Sequence, residues 1–228
     1  SFYLAKRKIR YSTWISQLQT LERINIKSTP EAYFKPKAAA FNYLSYKPNN
    51  RLELGFFEST IFKTYEDTLG TIPLHYSAYV PVLFGRTALN GLSGTQNAML
   101  GLNINYKISN HVQAYGQLAI DDLQNNKQAF QVGVKYFDIF NVENLYVQFE
   151  YNKANKNMYA ANTPIQSYIH YGQEFAHPFG AWFDEVLMIT SFEKKKFFVQ
   201  GKIVSAFQKQ VGEAFYGASL FESDIAEF

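Results

Sequence analysis

Few side chains in this sequence could do chemistry. There is no cysteine, which excludes thiol nucleophiles, disulfides and cysteine-bound zinc or iron–sulfur sites. The only histidines are His75, His111, His170 and His177. No nucleophile elbow, phosphate-binding loop, dinucleotide fingerprint or zinc-protease motif is present. His170 and His177 enclose Glu174, a donor set that could hold a metal, yet they fall on a loop with no regular spacing to aim them at one point. Hydrogen bonds that fix the loop are the simpler role. Asp121 and Asp122 are adjacent on a strand and so point to opposite faces; they read as a solvated strand end rather than a paired-carboxylate site. Lys194, Lys195 and Lys196 fill a short turn, a small solvated basic patch. The expectation is a protein that is not an enzyme, with no catalytic, cofactor-binding or metal-binding residues.

Rings are the richer signal. Seventeen Tyr, twenty-one Phe and two Trp occur in 228 residues, too many for a disordered chain. Several lie in two long connections: Tyr65, Tyr76, Tyr79 and Phe84 in 61–97, and Tyr159, Tyr168, Tyr171 and Phe175 in 153–181, with Trp182 following. Rings beside Asn and Gln suit carbohydrate, with sugar faces stacked on rings and amides bonding hydroxyls. His170, Tyr171, His177 and Trp182 are therefore the candidate glycan or partner contacts. Large loops equally fold inward and pack their rings as a core or plug. A balance of 22 Lys and Arg against 19 Asp and Glu does not suggest nucleic acid as a partner.

The elements that must position these residues are strands, because period-2 alternation dominates. Leu100, Leu102, Ile104, Tyr106 and Ile108 alternate with Gly101, Asn103, Asn105 and Lys107. After the turn pair Ser109–Asn110, Val112, Ala114, Leu118 and Ile120 alternate with Gln113, Tyr115, Gln117 and Ala119. Further strands are expected at 39–47, 51–60, 130–136, 145–151, 183–191 and 197–207, with one or two in the first twenty residues and a last one at 216–225. Short turns tend to alternate with long loops, and strands of about 9–11 residues match a tilted membrane strand. Rings cluster near strand ends, as aromatic girdles do. The expected fold is all-β: an antiparallel up-and-down transmembrane β-barrel, or a large part of one, with long extracellular loops. Strand parity puts Asn103, Asn105, Gln113, Gln117, Gln131, Lys135, Gln148 and Glu150 on the lumen side. No segment reads as a transmembrane helix. The sequence opens with neither an initiator Met nor a signal peptide, as a processed, truncated or partly covered chain would.

Three stretches in order carry a family resemblance: Asn50–Thr60 (NRLELGFFEST), Asn97–Leu118 (NAMLGLNINYKISNHVQAYGQL) and Ser167–Glu185 (SYIHYGQEFAHPFGAWFDE), with Phe130–Tyr151 fitting between them. Together they resemble the Bacteroidetes outer-membrane family that includes the gliding-motility protein RemB and is related to the capsule-assembly Wzi proteins. The resemblance covers roughly residues 38–206 and leaves 207–228 poorly matched. It implies one barrel domain over 1–228 that looks like the later part of a longer barrel. It also implies an outer-membrane location, and work in gliding, adhesion or attachment of surface polysaccharide. The implied partners are outer-membrane lipid, surface polysaccharide and other outer-membrane motility or secretion proteins. A porin or small-solute transporter is the alternative.

Overall fold

Alternation along the chain produces one antiparallel sheet in which every strand pairs with its neighbour in sequence. The computed structural model describes residues 2–6, 8–24, 34–92, 96–122, 127–159, 161 and 163–209. The sheet strands are β1 (Phe2–Lys6), β2 (Ile9–Arg23), β3 (Phe34–Tyr46), β4 (Leu52–Lys63), β7 (Asn97–Lys107), β8 (Val112–Asp122), β9 (Lys127–Phe137), β10 (Leu145–Ala154), β13 (Phe183–Lys194) and β14 (Phe197–Gln208). They form a ten-stranded meander in that order. Two small hairpins interrupt it: β5 (Tyr65–Glu66) with β6 (Gly70–Thr71), and β11 (Ile169–His170) with β12 (Gln173–Glu174). Among the described residues a single short helix, α1 (Gly85–Asn90), follows a 3-10 turn at Tyr76–Tyr79.

The all-β, antiparallel, up-and-down character is as expected, and strand limits fall within a few residues of those read from alternation. The first twenty residues do hold two strands, although β2 runs on to Arg23. The strand expected at 216–225 lies outside the described residues. Among the described residues no pairing joins β1 to β14, so the sheet is an open curl rather than a closed ring.

Turn chemistry explains the tight end of the sheet. Asn49 Oδ1 accepts from the backbone N–H of Arg51 at 2.8 Å and Leu52 at 2.9 Å, an Asx turn that lets β3 fold back on β4. Ser109 Oγ does the same for His111 and Val112 between β7 and β8. Asp138 Oδ1 accepts from Asn144 N at 2.7 Å between β9 and β10. At Lys195–Lys196 a two-residue turn puts Lys195 at φ 56°. Connections at the other end include 64–96 and 155–182. The described parts of both fold back onto the sheet, on opposite faces.

Register separates those faces. Leu102, Leu118 and Phe130 pair directly, as do Ile104, Gly116 and Val132; Val134 pairs with Phe149, which pairs with Met188 and then Ile203. The row from Tyr106 through Ala114, Val134, Phe149 and Met188 to Ile203 has no charged side chain; nearer the long loops the same face carries the Lys153–Asp184 pair, 3.3 Å apart. Its side chains stand in the open: Val132 is 51% exposed, Phe149 49% and Ile203 67%. The opposite face carries Asn, Gln, Lys and Glu, and it is the covered one. Phe41 of β3 and Phe183 of β13 line one cavity, although six strand spacings, roughly 29 Å if flat, separate them. The sheet therefore curls with its polar face inside. Two glycines allow that approach: a Cβ on Gly133 would sit 2.3 Å from the Tyr115 ring, and one on Gly101 2.0 Å from Phe57.

Candidate functional site

The candidate site is the polar concave face and the segment 155–182 folded over it. Tyr168, 1% exposed, is the pin of this plug: its hydroxyl donates to Ser59 O of β4 at 3.0 Å. Lys37 of β3, fully buried, donates its ammonium to Pro164 O at 3.0 Å and Ser167 O at 2.7 Å. Asn97 of β7 donates to Gln166 O. At the far side, His170 Nδ1 accepts from Gln19 N of β2 at 3.2 Å, and Tyr171 bonds Gln19 through both its backbone and its hydroxyl. The plug thus ties the last strands to the second. Its core includes Met158, Tyr159, Tyr168 and Ala181 packed on Ala39, Ile61, Ala119 and Phe183. The small residues of the wall (Ala39, Ala119, Ala129, Ala154) leave room for the plug's rings.

Beneath the plug lies a cavity of about 270 Å³. Phe41, Phe57, Tyr159 and Phe175 supply flat apolar faces, and Gln117 and Gln131 supply amides. A hydrogen-bonded chain runs along its wall. Tyr115 donates to Glu150, and Gln148 Nε2 donates to Tyr115 Oη at 2.7 Å. Asn152 Nδ2 donates to Glu150 Oε1 at 2.7 Å and to Glu185 Oε2 at 2.6 Å. His177 Nε2 lies 3.3 Å from Glu185 Oε2. Its Nδ1 accepts from Phe179 N, which leaves Nε2 as the protonated nitrogen of the neutral ring facing Glu185. Burial lowers the His177 pKa, and the Glu185 carboxylate pulls the other way. In the plug, burial pushes the Glu174 carboxyl up to about 7, with Lys37 opposing. Burial also raises the hydroxyl pKa values of Tyr159 and Tyr168.

Every one of the eight residues assigned by parity falls on this face. Asn103, Gln117 and Gln131 pair in one row; Gln113, Lys135 and Gln148 pair in another; Asn105 faces Tyr115, and Glu150 faces Gly133. A second hollow of about 270 Å³, lined by Tyr43, Glu53, Asn103, Asn105, Gln131 and Lys135, continues the face toward the short turns. The four loop candidates are not gathered at one place. His170 and Tyr171 lie against β2, His177 faces Glu185, and Trp182 lies between Lys156 at 5.2 Å and Lys209 at 5.8 Å. Only Tyr171 of the four is largely exposed. His170 and His177 thus serve separate anchors. Among the described residues no group of three or more His, Asp or Glu could hold a metal.

Two expectations change. Asp121 is not a solvated strand end: it is 2% exposed, 3.9 Å from Lys127, where a register shift between Ile120 and Asp122 disturbs the ladder. The long-loop rings divide: Tyr65, Tyr159 and Tyr168 are buried, whereas Tyr76, Tyr79, Phe84, Tyr171 and Phe175 are exposed. Parity also missed a second buried network, on the convex face. Glu58 lies in the apolar phase of β4, after Leu52, Leu54 and Phe56. It accepts from Thr87 N at 2.7 Å, Thr87 Oγ1 at 2.8 Å and Asn42 Nδ2 at 3.0 Å. A carboxylate in an apolar phase was the available signal.

Comparison with protein-family models, with characterised proteins and with solved structures finds no match to this chain.

Proposed function

We propose that this chain forms the wall and plug of a non-enzymatic outer-membrane β-barrel of the RemB-like, Wzi-related kind, acting at the cell surface in gliding motility, adhesion or attachment of surface polysaccharide. One observation carries the membrane part: the sheet is inverted relative to a water-soluble protein. Its polar face is covered and hydrogen-bonded while its other face, apolar from β7 to β14 below the Lys153–Asp184 pair, stands open. Water-soluble monomers rarely expose contiguous apolar patches beyond a few hundred Å². From Leu100 to Ile108 the outward run extends roughly 27 Å along the strand, or ~20 Å across a bilayer at a tilt of ~40°, near the height of a barrel's apolar band. In lipid the outer edge of β14, unpaired among the described residues, takes a further strand, because unpaired backbone groups cost several kcal/mol each there. In this reading the plug closes the lumen and the long-loop end, where Tyr171 stands exposed, meets polysaccharide or a partner protein.

A porin is the second reading, favoured by the unfilled hollow between Lys135 and Glu53 below the plug. Fractionation and planar-bilayer recording test both. The surface role requires recovery with outer membranes only on detergent extraction, no steady conductance, and binding of surface polysaccharide that weakens in Tyr171→Ala. Recovery without detergent would sink the membrane reading; stable single-channel conductance would favour the porin.

A further inference from the structure

The convex wall of β2, β3 and β4 departs from the apolar face of the later strands. Asn42 and Glu58 point outward there and are fully buried, because residues 72–91 lie across them as a strap. Leu74 and Ala78 of the strap pack on Ala38, Ala40 and Phe62. The wall's polar side chains serve the strap's backbone. Asn42 Nδ2 donates to Val82 O at 3.0 Å, Tyr11 Oη donates to Pro81 O at 2.7 Å, and Glu58 takes the Thr87 N–H. Arg86 turns inward, 1% exposed, and donates to Ala78 O at 3.2 Å. These bonds explain why an amide and a carboxylate stand on the outward side of β3 and β4.

The strap's other side is as telling. Arg86 is the only Lys, Arg, Asp or Glu between Asp67 and Lys107, and it is hidden, so the outer surface of the strap carries no such charge. What it presents is Tyr76 (68% exposed), Tyr79 (65%), Val82, Phe84 and Leu89. The polar wall begins one outward position beyond Phe56, at the upper edge of the outward run Leu52, Leu54 and Phe56. The strap therefore restores an apolar surface where the wall loses one. Irregular backbone is not tolerated in the hydrocarbon itself, but tyrosines are enriched at the boundary with the headgroups.

We propose that the 72–91 strap is a membrane-interface element: Tyr76, Tyr79, Val82, Phe84 and Leu89 rest against the headgroup–acyl boundary while Arg86 faces inward and Tyr11, Asn42 and Glu58 behind the strap bond the Pro81 and Val82 carbonyls and the Thr87 N–H. It rests on the membrane reading above and extends it to a segment that is neither strand nor plug. The occupant is lipid rather than a water-soluble partner, because the surface lacks charge and continues the apolar face.

The cysteine-free chain allows a clean test. Single Tyr79→Cys, Leu89→Cys, Val132→Cys and His111→Cys variants of the full chain are nitroxide-labelled in phosphatidylcholine vesicles. Collision with oxygen, which concentrates in lipid, is compared with collision with a water-soluble nickel complex. All four positions are exposed, so labelling disturbs no packing. The expected result is a strongly oxygen-favouring label at 132, a nickel-favouring label at 111, and intermediate oxygen-favouring labels at 79 and 89. Nickel access at 79 and 89 equal to that at 111, with 132 still oxygen-favouring, overturns the strap's role and leaves the membrane reading intact. Labels at 79 and 89 shielded from both reagents mean a protein partner covers the strap and also overturn it. Nickel access at 132 overturns the membrane reading, and the strap's role with it.

Discussion

Adjacent residues on one strand can separate a membrane wall from a soluble sheet. Val132 and Gln131 lie side by side on β9 and point to opposite faces. Val132 is five positions from each end of the strand (Lys127 and Phe137), hence roughly 17 Å along it from either end and ~13 Å across the bilayer at a tilt of ~40°. That places it near the middle of an apolar band about 25 Å tall. Arg there should cost ~2–4 kcal/mol in a bilayer; taking ~3 kcal/mol, the folded-to-unfolded ratio falls by a factor of roughly 150. On a water-facing surface the same half-exposed position would tolerate Arg within about 0.5 kcal/mol. Gln131→Arg puts the same charge on the polar face, beside Glu150, and should change stability by no more than about 1 kcal/mol. Denaturant titration in phosphatidylcholine vesicles, followed by the emission of Trp14 and Trp182, gives both values. Equal effects from the two variants, or a larger one from Gln131→Arg, would refute the inverted assignment of the faces.

Other consequences follow from the plug and the strap. Tyr168→Phe should loosen the plug by about 1 kcal/mol, the worth of one hydrogen bond, and Tyr168→Ala by ~3–5 kcal/mol through the lost ring; amide exchange should rise over 155–182 while the strand ladders stay protected. Glu174 is held up to about 7 when docked, above the ~4.3 of an exposed Glu. A raised folded-state value means its contribution is full below about pH 4.3 and is lost as pH rises through about 7. Plug protection, corrected for intrinsic exchange, should therefore fall across that window by at most ~4 kcal/mol, and Glu174→Gln should flatten the dependence. Glu58→Ala removes the acceptor of three hydrogen bonds beneath the strap; a loss of ~3 kcal/mol or more and new protease cleavage within 72–91 are expected, with the β7–β14 ladders unchanged.

Strands of plain two-residue alternation were legible closely: Val112–Asp122 and Asn97–Lys107 fall within three positions of their reading at either end. Parity then placed all eight polar residues on one face, because side-chain direction in a ladder is a local property. β2 was harder to read. Ile9, Tyr11, Thr13, Ile15 and Gln17 mix apolar and polar types because part of that wall meets the strap rather than an open apolar setting. The plug's anchors were illegible for a related reason. Lys37 and Tyr168 gain their roles from carbonyls more than a hundred positions away, and no local pattern encodes such a partner. Asp121 misled because a register shift and the packed plug, not the strand end, set its surroundings.

The meander with its plug also implies an order of folding. Each strand of the sheet needs only its neighbour in sequence, so hairpins can add one after another with short loop closures. The plug cannot follow that rule. Tyr168 must find Ser59 across 109 positions, and Tyr171 must find Gln19 across 152. Docking becomes possible only when β2 through β10 have already curled into one wall. A docked plug is thus a record that the wall behind it is complete, and a chain caught midway through folding would keep 155–182 free and its polar face wet.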